Sequence, residues 1–418
     1  MNIWLVTIGE PIPHLKNNLR LHRTGIIANI ISKKTSHSVT WWTSDFNHFQ
    51  KNHIFGNDTI LQIEENYTLI ALHGRGYKKN ISVDRILDHK EIAKKFRTQA
   101  LKYNRPDIIV ASFPTLGLCQ ECVELGKKWG VPVIIDYRDM WPEVFVEIAP
   151  NFLKPLIRLC LISLFLNTKK MFLKASGIIG ITDDFLKLGL NKIERKTNKN
   201  DEVFPLAYLS NQFNNSQLDE ANIFWEKTIP RSNKLRIIFI GTLGYQFDLI
   251  TIINAVELLN QKGICNFEVI LCGSGDKEES LKIASLNNKN IILPGYITAA
   301  QIRSLLLKAD IGLCPYNVNQ AFLSSIPGKA IEYMSAGLPI LTTLEEGELG
   351  KFCKKNEFGF FYEVSNPLSL ADAISNLIME KDKLKILNSN IISVYNENFE
   401  ADNAYMKYIK HLENVVNK

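Results

Sequence analysis

The strongest constraint on this chain is a pattern that runs twice along it: short, almost wholly apolar segments alternate with longer stretches of helical period. In the first half the apolar segments are IWLVTI (3–8), SVTWWTS (38–44), YTLIALH (67–73), DIIVASF (107–113), VPVIIDYR (131–138) and GIIGIT (177–182). In the second they are LRIIFIG (235–241), FEVILCG (267–273), NIILPG (290–295), IGLCPY (311–316) and LPILTT (338–343). Runs of this length, bounded by Gly, Pro, Asn and Asp, predict buried strands; the stretches between them predict helices covering parallel sheets. At 418 residues the chain exceeds one ordinary core. The expected fold class is therefore α/β, with two Rossmann-like doubly wound domains facing each other across a cleft.

Residues 183–234 contain KIERKTNKND and NQFNNSQLDE, charged and Asn-rich with weak periodicity, and read as linker plus insertion. The expected domains are 1–205 and 206–395. The last segment, NFEADNAYMKYIKHLENVVNK, has apolar residues at three-to-four spacing, so 396–418 predicts a helix crossing back to the first domain.

With 46% hydrophobic and 22% charged residues and no low-complexity tract, the composition is that of a globular enzyme. The start, Met1-Asn2-Ile3-Trp4, lacks the basic region of a secretory signal and reads as a first strand. Seven scattered cysteines suit a reducing compartment, with cytoplasm the expected location. The close pair Cys119 and Cys122 lies in a helical stretch without a completing His or second pair, and reads as two thiols on one helix face. Residues 1–200 carry 29 Lys and Arg against 18 Asp and Glu; the remainder carries 20 against 25. A basic first half suggests an anionic partner, either a membrane surface or a phosphorylated acceptor. No nucleic-acid partner is expected.

In open α/β sheets ligands sit at the carboxyl ends of strands, so chemistry is sought there. Gly241-Thr242-Leu243-Gly244 follows a strand and precedes a helix, which suits either backbone N–H groups approaching an oxyanion or a plain tight turn. Gly273-Ser274-Gly275 fails as a dinucleotide fingerprint because Glu278 stands where a third glycine belongs, which disfavours a nicotinamide enzyme. Pro294-Gly295-Tyr296 offers a turn able to meet a flat base, or simple packing. In Ser324-Ser325-Ile326-Pro327-Gly328-Lys329, Lys329 provides a point charge for a phosphate, and Glu332 follows on the helix. Glu332 either stabilises the helix start or accepts hydrogen bonds from a ribose diol.

Taken in this order and spacing, IIFIGTLG, LPGYI, ADIGLCPY and PGKAIEYMSAGLPIL resemble the donor half of the retaining GT-B glycosyltransferases, specifically glycosyltransferase family 4. The resemblance implies that Glu332 contacts the nucleotide ribose and that Gly241 to Gly244 lie by the donor phosphates. It places Gly273, Gly275, Tyr296, Ser324, Ser325 and Gly328 in the donor site. Ser324 stands where most members carry a second glutamate, and Thr242 with Tyr245 or Gln246 replaces the usual cations around the first glycine turn. A subgroup of bacterial O-antigen and capsule transferases is similar in these respects; there Lys329 takes over the phosphate charge.

In the first half, Asp136-Tyr137-Arg138-Asp139-Met140-Trp141-Pro142-Glu143 is similar to the Asp-x-Trp-Pro-Glu stretch of that subgroup. Asp139 is then expected to orient the acceptor hydroxyl and Trp141 to stack on a sugar, with Arg138 and Glu143 beside them; the alternative is a helix cap. Glu10 in the loop Gly9–His14, with Arg20 and Arg23, is read as acceptor-binding, or as a solvated basic turn. Residues 152–178 join an apolar run to five cations; too short to span a bilayer, they suit either an interfacial or a core helix.

The resemblance implies sugar transfer with retention, without a metal or other cofactor, from a nucleotide-diphosphate donor, expected to be a UDP-sugar. The acceptor is expected to be a lipid-linked surface glycan, met at the inner leaflet by a cytoplasmic enzyme. No Asp-x-Asp triplet for clamping a metal occurs in the sequence. A nucleotide-sugar 2-epimerase of the same architecture and a non-catalytic sugar-nucleotide binding subunit are the alternatives.

Overall fold

The structure, a computed structural model, describes every residue except 14–19, 81, 148, 211–212, 230–231, 287 and 418. The chain divides into two compact units, residues 1–205 with 404–418, and residues 206–403.

Among the described residues, ten strands belong to the first unit: β1 (Asn2–Val6), β2 (Ser38–Ser44), β3 (Phe46–Asn47), β4 (Asn52–His53), β5 (Thr59–Glu64), β6 (Tyr67–Leu72), β7 (Ile108–Phe113), β8 (Val133–Tyr137), β9 (Gly177–Gly180) and β10 (Glu202–Val203). Eight form one sheet in the order β10-β9-β8-β7-β1-β2-β6-β5, while β3 and β4 make a separate hairpin. All neighbours in the large sheet are parallel except β5, which runs antiparallel on β6. Central strands are buried along their length, as their continuous apolar runs require. Trp4 is the centre of an aromatic core, its ring 5.2 Å from Trp42 and 5.7 Å from Trp129.

The second unit contains β11 (Leu235–Ile240), β12 (Phe267–Cys272), β13 (Ile291–Gly295), β14 (Ile311–Cys314), β15 (Ile340–Thr342) and β16 (Gly359–Phe361). They form one parallel sheet in the order β13-β12-β11-β14-β15-β16. The order reverses between β11 and β14, which opens a crevice at their carboxyl ends.

Several local expectations change. The segment read as linker plus insertion contains the helices Asp183–Lys192 and Asn215–Thr228. The second starts with a reciprocal cap between Asn214 and Gln217 and buries Trp225, whose Nε1 donates to the Gln301 carbonyl at 2.8 Å. The final helix, Ala401–Val416, buries Tyr405, Tyr408 and Leu412, and its residues from 404 onward pack within the first unit. Residues 152–178 hold the helices Lys154–Cys160 and Ile162–Lys174. Among the described residues no helix is long and apolar enough to cross a membrane. Every one of the eight histidines falls within the first unit's residue ranges.

Candidate functional site

In the second unit the glycine turns lie at the carboxyl ends of the strands, but they serve one another. The Gly241 N–H donates to the Cys272 carbonyl at 3.0 Å, Leu243 N–H to Ser274 at 2.9 Å and Gly273 N–H to Gly295 at 2.8 Å. A Cβ on Gly273 would stand 1.8 Å from the Gly241 carbonyl oxygen, and one on Gly275 would stand 2.6 Å from that of Leu243. The loops after β11, β12 and β13 are thus stacked backbone on backbone, and glycine is required because nothing larger fits. With Gly244 N–H donating to Thr242 at 2.9 Å, the expectation that the turn Gly241 to Gly244 presents N–H groups to a phosphate is corrected at Gly241, Leu243 and Gly244: those donors are used within the protein. Thr242 and Gly275 are exposed beside them, and Tyr296 is 79% exposed.

Positive charge arrives from the other side of the crevice. The helix Gly328–Met334 follows β14, and Tyr333 fixes it: the Ile240 N–H donates to its hydroxyl at 3.0 Å, which donates to Leu313 at 3.4 Å. Burial pushes this phenol well above its ordinary range, so it acts as a neutral bracket. The bracket sets Lys329 with its ammonium 3.9 Å from the Phe247 ring centroid, 4.6 Å from Phe239 and 5.2 Å from Tyr316. Faces of aromatic rings attract cations, which compensates for part of the lost hydration. The same ammonium lies where a Cβ on Gly241 would meet it at 2.8 Å. Lys329 and Gly241 are thereby brought together where the sheet order reverses.

Glu332 is on the same helix and is 2% exposed. Ser324 is fully buried, with Gln320 Nε2 donating to its Oγ at 2.9 Å. Ser325 donates its hydroxyl to the Phe322 carbonyl, whereas Gly328 is exposed.

The first unit divides the expected acceptor residues into two groups. Glu10, Arg23 and Arg138 belong to a buried network centred on Asp136. Arg23 donates to both oxygens of Asp136, at 2.9 and 3.3 Å, and to the carbonyls of Phe204 and Pro205. Its guanidinium also lies over the rings of Tyr405 and Tyr408. At 4% exposure, Arg23 is a structural cation, which corrects its reading as a phosphate ligand. Arg138 bonds Asp136 at 2.7 Å and pairs with Glu10, which also accepts from the Thr24 N–H and hydroxyl. Burial raises the pKa of Asp136, but Arg138 and Arg23 outweigh it and hold the carboxyl below its ordinary range. Arg20 is partly exposed at the end of the segment 14–19, and His14 of the expected loop lies outside the described residues.

The other group follows β8. Asp139 accepts the Met140 N–H at 2.8 Å, and burial raises its pKa against the opposing pull of that bond and of Arg85. Trp141 meets Phe145 edge-on at 4.7 Å, with the Arg85 guanidinium 5.6 Å from its ring centroid. Glu143 pairs with Lys192, while its second oxygen is buried without a partner. Sequence reasoning missed Arg85, which lies far upstream on the helix Val83–Ala100, and the aromatic cage around Lys329. Each comes from an element that the fold, not the local sequence, brings to the site.

Among the described residues one group has the side chains to hold a metal: Asp45, His53 and His73. Asp45 is fully buried, with the two Nδ1 atoms at 2.8 and 3.0 Å and the Gly56 N–H at 3.0 Å, so hydrogen bonds already satisfy its carboxylate.

Residues 234–380, most of the second unit, match the family model described as glycosyl transferases group 1. No curated protein is matched by the sequence. The structure is similar to sucrose-phosphate synthase from Thermosynechococcus elongatus, with a TM-score of 0.74 at 12% identity over 99% of this chain and 98% of that one. The HepE protein of Anabaena in complex with UDP gives 0.63 at 13% identity over 99% of each chain. A glycosyltransferase from Rickettsia africae gives 0.62 at 15% identity over 99% and 98%. The chain therefore has the GT-B fold, and residues 234–380 of its second unit are similar to a group 1 glycosyltransferase domain.

Proposed function

We propose that the protein is a retaining glycosyltransferase that moves a sugar from a UDP-sugar to a lipid-linked glycan. The observation that carries the donor side is the Lys329 ammonium beside Gly241, at the point of strand reversal in the unit that matches the group 1 model. A cation there stabilises the charge that develops as the diphosphate leaves, and it does so without reorganising. Glu332, on the same helix, is assigned to the ribose diol. The Anabaena neighbour, described in complex with UDP, supports uracil as the base.

Ser324 offers no carboxylate to attack the sugar. The reaction is therefore assigned to front-face displacement: the bond from C1 to the leaving phosphate breaks as the bond to the acceptor oxygen forms on the same face. The departing phosphate takes the acceptor's proton. Asp139, its carboxyl raised by burial, orients the acceptor hydroxyl, and Trp141 offers a face to the acceptor sugar. The transfer is assigned as metal-independent, since the sequence has no Asp-x-Asp triplet.

For the lipid-linked acceptor the support is the helix pair Lys154–Cys160 and Ile162–Lys174. Leu156, Leu159, Ile162, Leu166 and Leu173 are each more than half exposed there, among Lys154, Arg158, Lys169, Lys170 and Lys174. Apolar side chains flanked by cations suit an anionic membrane interface on the cytoplasmic side.

The test is incubation of the purified protein with a panel of UDP-sugars, with and without EDTA and lipid-linked acceptors, followed by product analysis. Glycosylated acceptor with retained configuration, formed equally in EDTA, is expected. Epimerised UDP-sugar without acceptor, or no turnover with any donor, overturns the proposal.

A further inference from the structure

Around Tyr77, in the first unit, four basic side chains converge from two segments. His48 and Lys51 come from the β3–β4 hairpin; Arg85 and His89 come from the helix Val83–Ala100. His48 Nδ1 lies 2.6 Å from the Tyr77 hydroxyl, and the His89 ring meets Tyr77 edge-on at 6.2 Å. The Lys51 ammonium and Arg85 guanidinium lie 5.0 and 5.7 Å from its ring centroid.

Their polar partners are neutral. Lys51 donates to the Asn80 side chain and the His48 carbonyl, and Arg85 Nη1 donates to the Asn80 carbonyl at 2.8 Å. Among the described residues no carboxylate forms an ion pair with either cation, and Arg85 Nε is buried with no hydrogen-bond partner. The nearby acids are Asp139, on which Arg85 acts, and Asp88, which accepts the Gly76 N–H. Burial, with Lys51 and Arg85, lowers His48 to about 4; burial, with Arg85 and His48, lowers His89 to about 3. Both imidazoles are thus kept neutral, chiefly by burial and further by the neighbouring basic groups. Two cations and two neutral imidazoles gathered around one phenol, with neither cation in an ion pair among the described residues, is an arrangement suited to an anion.

We propose that His48, Lys51, Tyr77, Arg85 and His89 form a subsite for a phosphoryl group carried by the acceptor, adjoining Trp141. The proposal rests on the glycosyltransferase reading and names the acceptor's chemistry. Arg85 lies over Trp141 as well as Tyr77, so the anion would bind beside the ring that takes the sugar. Arg85 supplies a fork of donors, Lys51 a point charge and Tyr77 a hydroxyl, a set suited to phosphate oxygens.

The test is histidine-selective ¹⁵N NMR of the full chain, titrated with inorganic pyrophosphate, with signals assigned through His48→Asn and His89→Asn. Saturable shifts of the His48 and His89 signals are expected. Arg85→Gln and Lys51→Gln should each weaken the response by about tenfold or more, the loss of a charge-assisted bond, with Arg85→Lys intermediate. Stationary signals, or equal affinity in Arg85→Gln, overturn the subsite. UDP binding, followed separately by thermal shift, should be the same in Arg85→Gln as in wild type. If UDP fails to bind the wild type, the donor reading falls while the pyrophosphate response still stands. Farnesyl diphosphate and glucose 1-phosphate, titrated in parallel, distinguish a lipid diphosphate from a soluble sugar phosphate. A response to either supports the subsite, and a response to neither overturns it.

Discussion

Lys329 is held by aromatic faces beside a glycine that leaves it room, so its charge and its shape can be separated by substitution. Lys329→Met keeps a flexible stem among Phe239, Phe247 and Tyr316 but removes the cation. Turnover, followed as UDP release, should fall by about 100-fold or more, the scale of losing one electrostatic contact to a developing anion. The melting temperature should move little. Asp139→Asn should lower kcat with little change in KM for the donor, a split readable from initial rates. Both residues were singled out in the sequence, Asp139 two positions past the end of β8 and Lys329 in the Gly-Lys pair that opens its helix. Arg23 was not: the same sequence suits an exposed phosphate ligand or a buried counter-ion, and only the arrival of Asp136 and the Phe204 and Pro205 carbonyls decides between them.

Between the loops after β11 and β12, glycine is needed for contact as well as conformation, and the two needs can be measured apart. Gly263 has φ +73° and open space around its missing Cβ, so Gly263→Ala should cost about 1 kcal/mol, the left-handed penalty alone. Gly273→Ala places its Cβ on the Gly241 carbonyl and should cost about 3 kcal/mol by denaturant unfolding, because overpacking adds to the backbone term. Sequence alone could not tell these glycines from phosphate-cradling ones, since both uses ask for a missing side chain. The buried strands were legible as apolar runs. β5 was not: its residues alternate between half-buried and exposed at the sheet edge, so Gln62 and Glu64 interrupt any apolar run. The helix pair Lys154–Lys174 carries its own test. Leu159→Asp with Leu166→Asp should lower cosedimentation with phosphatidylglycerol vesicles by at least about tenfold, since each leucine contributes about 1.5 kcal/mol or more on burial. Both side chains are exposed, so the thermal transition should be preserved.

Across the whole chain, every histidine lies in one unit, since residues 206–403 contain none. Burial lowers His22, His48 and His89 below the ordinary value of 6.5. The unfolded chain therefore takes up protons first, and stability is complete above about pH 6.5 and declines as pH falls towards 4. Asp136, depressed below its ordinary 3.8, adds a further loss as pH falls through the folded value. Hydrogen exchange corrected for intrinsic rates should show protection weakening in the first unit between pH 7 and 5 while the second unit holds. Five of the six tryptophans share the first unit with the histidines, and Trp225, buried with its Nε1 on the Gln301 carbonyl, belongs to the second. Nature has in effect labelled the two units with different probes: imidazole resonances report on the first unit alone, and the Trp225 indole reports on the second. Changes in either unit can therefore be followed in a single sample of unmodified protein.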